Sequence, residues 1–316
     1  MLHLTVPSDP GPYDTLYVSP HLDDVALSCP ASVLADRKAG RRALVLTLFT
    51  SDSADQEQAS TACRDRWTEE ARALDGFGAD GVLAGLPDAP GRAPSTYRSF
   101  NTIVFGRDPA DLGVLGRASE LIGRLVRLTG ATTVVAPLGV GEHIDHRLAH
   151  EACRVASADF RAAHVCFYED RPYSLVTHAT RLRLAALGLR GDAPDLAPAG
   201  LRELTAAFFF SLFRARYVKS YLHGNINRVA AMARYGNQLQ AAVRDGLQVA
   251  SAEVRAWQPA ELSPVKEALA SYSSQIPDVV GDVAAWEAAS LAWAEKAGSP
   301  GAYVERLWSI PAVVPA

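Results

Sequence analysis

Two short segments of the chain bring together side chains that could bind a metal ion and move protons. Residues 21–24 read His-Leu-Asp-Asp, and residues 143–146 read His-Ile-Asp-His. Two histidine nitrogens and one carboxylate oxygen form a common catalytic zinc site, in which one position stays open for water. Zinc can lower the pKa of such a water to about 7 and polarise a carbonyl group. A second carboxylate can then act as general base, and a further histidine as an acid or as a partner for an oxyanion.

Each segment alone has a simpler interpretation. A histidine at a strand end usually makes an ordinary hydrogen bond, and paired aspartates at the start of a helix usually cap it. The metal-site interpretation gains weight because the segments hold or adjoin four of the eight histidines, which are His21, His143, His146 and His150. His150 follows His146 by four residues, so these two could form a rival ligand pair on one helix face. His146 lies nearer the strand end, so we expect His150 to point further along the helix.

The elements that would position these segments alternate between strand and helix patterns. Strands are predicted at 15–19, 42–50, 81–86, 132–138 and 164–168, and helices at 25–39, 56–74, 110–128 and 145–158. Because nearly continuous apolar strands suit a parallel sheet buried on both faces, this alternation predicts an α/β fold with a doubly wound, mainly parallel sheet. Ligands bind at the carboxyl ends of the strands in such sheets. Both motif segments, and Asp88, follow predicted strands.

The length of the chain, 316 residues, predicts one large domain with an addition, or two unequal domains. We expect residues 1–170 to form the α/β catalytic domain that carries the metal site. Residues 171–316 show few strand signals, and the stretches 203–244 and 260–297 look mainly helical. This region is predicted to be a mostly helical addition that packs on the catalytic domain and shapes the substrate pocket.

Composition and charge exclude several classes of protein. Apolar residues make up 48%, charged residues 21%, and the formal net charge is −4, which is close to a soluble globular average and provides no excess positive charge for general nucleic-acid binding. The most apolar run, 204–213, is about half as long as the ~20 residues that a membrane span needs. A Gly-x-Gly-x-x-Gly sequence at 76–81 precedes a predicted strand instead of following one, which argues against a nucleotide-binding module.

Cysteine usage and the amino-terminal residues bear on location and partners. The four cysteines are not spaced as Cys-x-x-Cys, which excludes a zinc ribbon and favours buried thiols in a reducing compartment. Residues 1–13 show neither the basic nor the apolar part of a signal peptide. We therefore expect a cytoplasmic protein whose partner is a small-molecule substrate, with no nucleic acid and no membrane span. The sequence is compatible with a homo-oligomer and does not decide the oligomeric state.

The two motif segments resemble the paired signatures of the PIG-L/LmbE-like deacetylases, zinc-dependent hydrolases that remove acetyl groups from N-acetylglucosamine-type amides. Further similar features extend over roughly residues 15–240, and they include 17–19, 86–88, 137–141, 168–173 and 228–238. The resemblance implies a Rossmann-like, LmbE-like fold and a Zn²⁺ cofactor. A set of two histidines and one carboxylate also suits Fe²⁺.

The resemblance also implies which residues bind the metal and the substrate. The metal ligands would be His21, Asp24 and His146. Arg66 and Asp88 would lie near the polar groups of the substrate.

Three further residues would carry out the acid–base chemistry that the resemblance implies. Asp23 would take a proton from the attacking water. His143 would stabilise the tetrahedral oxyanion or protonate the leaving amine, and Asp145 would orient His143 or tune its charge.

The chain departs from the family pattern at two places in and after the first motif. Leu22 stands where proline is usual, and Pro30 with Ala31 stands where a pair of glycines is common. Because Pro30 lies inside the predicted helix 25–39, we expect a kink there. These departures bear more on the identity of the substrate than on the chemistry.

The sequence therefore predicts a zinc-dependent N-deacetylase that removes an acetyl group from an amino sugar or its conjugate. Two alternatives are left open by the residues. One is a tailoring amidase that acts on a non-sugar N-acyl amide, and the other is a non-catalytic metal-binding protein with a Rossmann-like fold.

Overall fold

An eight-stranded mixed sheet forms the centre of the computed structural model, which describes residues 11–55, 58–160, 163–176, 178–193 and 248–311. The strands are β1 Thr15–Ser19, β2 Ala43–Ser51, β3 Asp80–Pro87, β4 Thr133–Pro137, β5 His164–Tyr168, β6 Leu189–Gly191, β7 Gln248–Trp257 and β8 Tyr303–Ser309, and their order is β3-β2-β1-β4-β5-β8-β7-β6. Strands β1 to β5 are parallel to one another, whereas β8 runs antiparallel to β5 and β7. The chain order reverses between β1 and β4, which is where such sheets bind ligands.

Helices cover both faces of this sheet. In the described residues they are α1 Asp24–Ser28, α2 Pro30–Lys38, α3 Thr61–Phe77, α4 Ala89–Arg92, α5 Phe100–Phe105, α6 Ala110–Thr129, α7 Ile144–Ser157, α8 Ala179–Ala186, α9 Ser263–Leu269, α10 Ile276–Val279 and α11 Val283–Lys296. Leu16 and Val18 of β1 pack into a cluster with α6 and α7, whereas Tyr17 packs into a second cluster with α1, α2 and α3. Alternate residues of one buried strand therefore face two helical layers, and the predicted doubly wound α/β sheet is confirmed.

The predicted helix 25–39 is divided at Pro30. Helix α1 ends at Ser28, Cys29 has a φ of −140°, and α2 begins with Pro30 as its first residue. Proline has no N–H for the helical ladder but fits the first position of a new helix, where that N–H would have no partner. The expected kink is thus a complete break between two helices.

The region after residue 171 contributes more strand than the sequence predicted. β7 and β8 extend the sheet beyond β5, and β6 pairs with β7. β8 lacks a continuous apolar pattern because it carries two buried charged residues. One is Glu305, which accepts hydrogen bonds from the N–H groups of Ala31 and Ser32 at the start of α2. The other is Arg306, which pairs with Glu169.

Residues 260–297 are mainly helical, as predicted. The predicted helical stretch 203–244, the apolar run 204–213 and the family-like segment 228–238 lie outside the described residues. The division at residue 170 stays a prediction. All four cysteines are buried free thiols. None of the helices in the described part of the chain combines the length and the hydropathy needed to cross a bilayer.

Candidate active site

The two motif segments meet because β1 and β4 are adjacent parallel strands. Thr15, Leu16 and Tyr17 pair with residues 133–135, so the two carboxyl ends lie at the same edge of the sheet. The His21 ring centroid lies 5.1 Å from that of His143 and 5.3 Å from that of His146. The first residues after each strand therefore form one cluster.

All eight predicted site residues line a single open pocket. They are His21, Asp23, Asp24, Arg66, Asp88, His143, Asp145 and His146. The remaining lining residues are Leu27, Pro90, Ile103, Pro172, Tyr173, Gln275 and Val279. Gln275 and Val279 come from the C-terminal region, so both parts of the chain form the pocket.

Asp24 lies between two histidines, one in the loop after β1 and one in the first turn of α7. Its Oδ2 atom is 3.3 Å from His21 Nδ1 and 3.4 Å from His146 Nε2. The other nitrogen of each ring contacts a carboxylate, since His21 Nε2 is 2.9 Å from Asp145 and His146 Nδ1 is 2.7 Å from Asp170. Metal-binding histidines characteristically donate their outer N–H to such a group, which leaves the inner nitrogen as the ligand. The three side chains thus have the chemistry of a catalytic zinc site.

Ionisation of these groups follows from their surroundings. Burial lowers the pKa of His21, but hydrogen bonds with Asp145 and Asp24 outweigh it and raise the pKa to about 10. Burial acts to raise the pKa of Asp24, whereas the charge of His146 and the hydrogen bond from His21 bring it below the ordinary value. A metal ion would therefore have to displace a proton from His21, as metal binding to histidine commonly does.

A second group of possible ligand atoms, from His21, His143 and Asp145, is equally compact. It suits a cation less well because the Asp145 carboxylate is already paired with the buried guanidinium of Arg92. The same carboxylate also accepts a hydrogen bond from the N–H of Ala89 at 3.0 Å. His21 and the charge of Arg92 hold the pKa of Asp145 well below its usual range, although burial acts to raise it.

Asp170 is a site residue that the sequence prediction did not assign. Its Oδ1 contacts His146, and its Oδ2 accepts hydrogen bonds from the N–H groups of Gly139 and Val140 at 2.7 and 2.8 Å. One carboxylate therefore fixes both the His146 ring and the loop that follows β4. In the sequence, the feature that could have identified Asp170 is its position just after the fifth predicted strand, where ligand-binding residues are expected.

Asp23 has an uncommon backbone conformation at the pocket wall. Its φ is 99° although it is not a glycine, and its N–H donates to Glu70 Oε2 at 3.2 Å. Burial and the neighbouring charge of Asp24 raise the pKa of the Asp23 carboxyl well above its ordinary value. A carboxylate with a raised pKa is suited to accept a proton from a reacting group.

His143 is held by the main chain of its own loop. Its Nδ1 accepts a hydrogen bond from the N–H of Asp145 at 3.2 Å, so the neutral ring carries its hydrogen on Nε2. Burial holds the pKa of His143 well below its usual range, which favours this neutral form. Asp145 contacts His143 through its main-chain N–H, while its carboxylate bonds His21 and Arg92.

Arg66 lies on α3 and Asp88 directly follows β3, and both line the pocket. The buried Nε of Arg66 finds no hydrogen-bond partner among the described residues. Asp88 caps α4 by accepting from the N–H of Gly91 at 2.7 Å, and burial raises the pKa of its carboxyl. Both therefore keep polar atoms at the pocket.

His150 does not belong to this pocket. Its Nδ1 lies 3.0 Å from the carbonyl oxygen of Pro137, and its ring packs 4.5 Å from that of Phe167, centroid to centroid. The rival pair of His146 and His150 is therefore not formed.

The sequence profile of the family described as PIG-L, GlcNAc-PI de-N-acetylase, matches residues 16–157. These residues are thus similar to the PIG-L family, and we call this matched stretch the PIG-L domain. The match begins in β1 and ends with α7, so it contains both motif segments. The resemblance predicted from those segments is confirmed.

A curated relative is similar to a larger part of the chain than the PIG-L domain alone. The 2'-N-acetylparomamine deacetylase of Streptomyces fradiae is 34% identical over 197 residues. This match covers 57% of the present chain and 64% of the relative. The chain thus matches somewhat less than two thirds of that protein's length.

Solved structures with similar folds extend beyond the PIG-L domain. The zinc-inhibited form of teicoplanin deacetylase Orf2 is 19% identical, with a TM-score of 0.62, and covers 96% of this chain and 100% of its own. The A40926 pseudoaglycone deacetylase is also 19% identical, with a TM-score of 0.62, and covers 96% of this chain and 99% of its own. At these identities the likeness shows a shared fold, which confirms the predicted LmbE-like architecture.

Proposed function

We propose that this protein is a metal-dependent hydrolase that removes an N-acetyl group from an amino sugar or an amino-sugar conjugate. The observation that carries the proposal is the arrangement around Asp24. Two histidines direct one nitrogen each toward its carboxylate, and both have a second carboxylate on the other nitrogen. A buried structural histidine has no need of this doubled pattern, whereas a metal ligand does.

His21, Asp24 and His146 are the residues that would hold the metal. Zinc is the ion we propose, with ferrous iron as the other cation that this donor set suits. A bound zinc ion would supply Lewis-acid polarisation of the acyl carbonyl and activation of water.

The proton transfers fall to residues beside the ligands. Hydrolysis adds one water across the amide, so the C–N bond breaks, the oxygen stays on the acetate, and one proton must reach the leaving nitrogen. Asp23 lines the pocket next to Asp24 and would accept a proton from the attacking water. His143, neutral with its hydrogen on Nε2, would donate a hydrogen bond to the developing oxyanion, and the proton that Asp23 takes from the water would pass to the leaving amine.

The substrate end of the pocket supports a polar acyl amide. Arg66 and Asp88 both line it and offer one donor and one acceptor group for substrate hydroxyls or amines. The relative from Streptomyces fradiae is a deacetylase for an N-acetylated amino-sugar compound by its name. This name favours an amino sugar over a lipid or peptide amide.

The test is a substrate panel applied to protein of known metal content. N-acetylglucosamine and N-acetylated aminoglycosides such as 2'-N-acetylparomamine would be compared with acyl-lipid and acetyl-peptide amides, with acetate release as the readout. We expect hydrolysis of the amino-sugar group and about one bound metal per chain. Turnover confined to non-sugar amides would show a tailoring amidase, and stoichiometric metal with no turnover would show a non-catalytic metal protein.

A further inference from the structure

A chain of hydrogen bonds connects the C-terminal region to Asp23, and we propose that Glu70 and Tyr272 are positioning residues for this aspartate. The inference rests on the proposed function, in which Asp23 accepts the proton. The N–H of Asp23 donates to Glu70 Oε2 at 3.2 Å, and the hydroxyl of Tyr272 donates to the same oxygen at 2.7 Å. The two partners of this oxygen are thus Asp23, a residue of the pocket, and Tyr272, which is 202 positions away from Glu70 in sequence.

Asp23 requires such support because of its backbone. A φ of 99° is rarely adopted by residues other than glycine, and such conformations persist only where the surroundings hold them. The carbonyl oxygen of Asp23 accepts from the N–H of Leu27 at 2.8 Å, which fixes one side of the residue in the first turn of α1. The hydrogen bond to Glu70 fixes the other side. Together they set the direction from which the Asp23 carboxylate enters the pocket.

Glu70 is itself immobilised by its donors. It lies on α3 with only 2% of its surface exposed, and its Oε1 accepts from the hydroxyl of Thr47 on β2 at 2.9 Å. Tyr272 is equally buried, at 1%. Three hydrogen-bond donors hold a buried carboxylate in one orientation, whereas the loss of one donor allows the side chain to adopt a different orientation.

The same segment of chain also forms the pocket wall. Tyr272 precedes Gln275 by three residues, and Gln275 lines the pocket. The contact between Tyr272 and Glu70 therefore fixes the position of this wall segment relative to Asp23, the proposed base. Accurate placement of a reacting group is worth far more in rate than in stability.

Glu69 provides a matched control for Glu70. It is the preceding residue on α3, is 6% exposed, and accepts hydrogen bonds from Ser273 Oγ at 2.8 Å and from Ser274 N–H and Oγ at 2.8 and 2.7 Å. Glu69 thus fixes the same C-terminal segment without bonding Asp23. A change of Glu69 to glutamine disturbs the packing of that segment and leaves the link to the base intact.

The experiment compares Glu70→Gln, Tyr272→Phe and Glu69→Gln in the full-length, metal-loaded protein. One readout is kcat and KM for an N-acetyl amino sugar that the wild type hydrolyses. We expect Glu70→Gln to lower kcat about 10- to 100-fold with KM and bound metal unchanged. Tyr272→Phe should lower kcat less, and Glu69→Gln should leave kcat near the wild-type value.

A second readout is independent of activity. Hydrogen–deuterium exchange of a peptide spanning residues 20–28 reports whether the Asp23 N–H is held. We expect faster exchange in Glu70→Gln and Tyr272→Phe than in the wild type, and wild-type exchange in Glu69→Gln. Equal exchange in all three variants, or a loss of kcat in Glu69→Gln that matches the loss in Glu70→Gln, would overturn the proposal.

The two readouts separate this proposal from the proposed function. If the wild type hydrolyses no N-acetyl compound, the function is wrong, and the exchange measurement alone decides whether Glu70 and Tyr272 hold Asp23. If circular dichroism shows that Glu70→Gln does not fold, the comparison of Tyr272→Phe with Glu69→Gln decides it.

Discussion

The PIG-L domain and the C-terminal region contribute to the pocket in different ways. The domain supplies the histidines and carboxylates of the pocket, and the side chains of His21, Asp145 and His146 are fixed by further hydrogen bonds. The described C-terminal residues supply uncharged groups, with Gln275 and Val279 on the wall and Tyr272 behind Glu70. Under the proposed function, this difference assigns the chemistry to residues that follow the sheet strands and the fit of the substrate to the segment that packs against them.

The largest effect is expected from removing a proposed metal ligand of the domain. His146→Ala should lose the bound metal and all measurable hydrolysis, because two ligands cannot retain the ion tightly. His150→Ala is the matched control, since His150 lies one helical turn away and bonds only Pro137 within the core. It should lower the melting temperature and keep the metal. Metal analysis and acetate release would check both variants, and loss of metal from His150→Ala alone would reverse our assignment.

Asp23→Asn should leave the metal bound and remove the proton acceptor. We expect kcat to fall by about 10²- to 10⁴-fold, the usual contribution of a positioned acid–base group. The amide keeps the size of the side chain and the main-chain bond to Glu70, so the melting temperature should change little. Full activity with full metal content would show that another group accepts the proton.

These two predictions use residues that the sequence alone had singled out, and the reason is local. Each motif segment directly follows an apolar strand, and parallel strands bring their carboxyl ends together whatever the details of packing. Asp170 also follows a predicted strand, but the spacing of residues in the sequence does not show that its carboxylate contacts the outer nitrogen of His146. The contact between Glu70 and Tyr272 had no signal at all, because no periodicity states which distant residues will meet.

The strands β7 and β8 were not predicted from the sequence, for a different reason. In β7 only Ala250 is fully buried, and β8 is buried on both faces and carries the charged residues Glu305 and Arg306. Sequence patterns identify strands by apolar runs or by alternation. Here the buried charges have partners at the start of α2 and directly after β5, so the apolar pattern is absent although the strand is present.

Asp170→Asn should have an intermediate effect, since it changes the partner of a ligand and not a ligand. An amide can accept from Gly139 or Val140 but cannot replace the carboxylate at all three contacts. We expect about a 10- to 100-fold loss of metal affinity, as for other outer partners of metal-binding histidines. Competition with a chelator would measure it. Glu169→Gln, which alters the neighbouring carboxylate that accepts from Trp308, should leave the affinity unchanged.

The smallest effect is expected from a change in the pocket wall that the C-terminal region forms. It tests most directly whether this region only shapes the pocket. Val279→Ala removes two methyl groups from the pocket lining, and we expect KM to change by roughly two- to fivefold with kcat unchanged, as partial loss of apolar contact predicts. Val280→Ala is the control, because this half-buried neighbour does not line the pocket. If Val279→Ala instead lowers kcat, the C-terminal segment does more than shape the pocket. The division between a chemical domain and a substrate-fitting region would then fail, because α10 would be acting on the reacting groups through the same link that joins Tyr272 to Asp23.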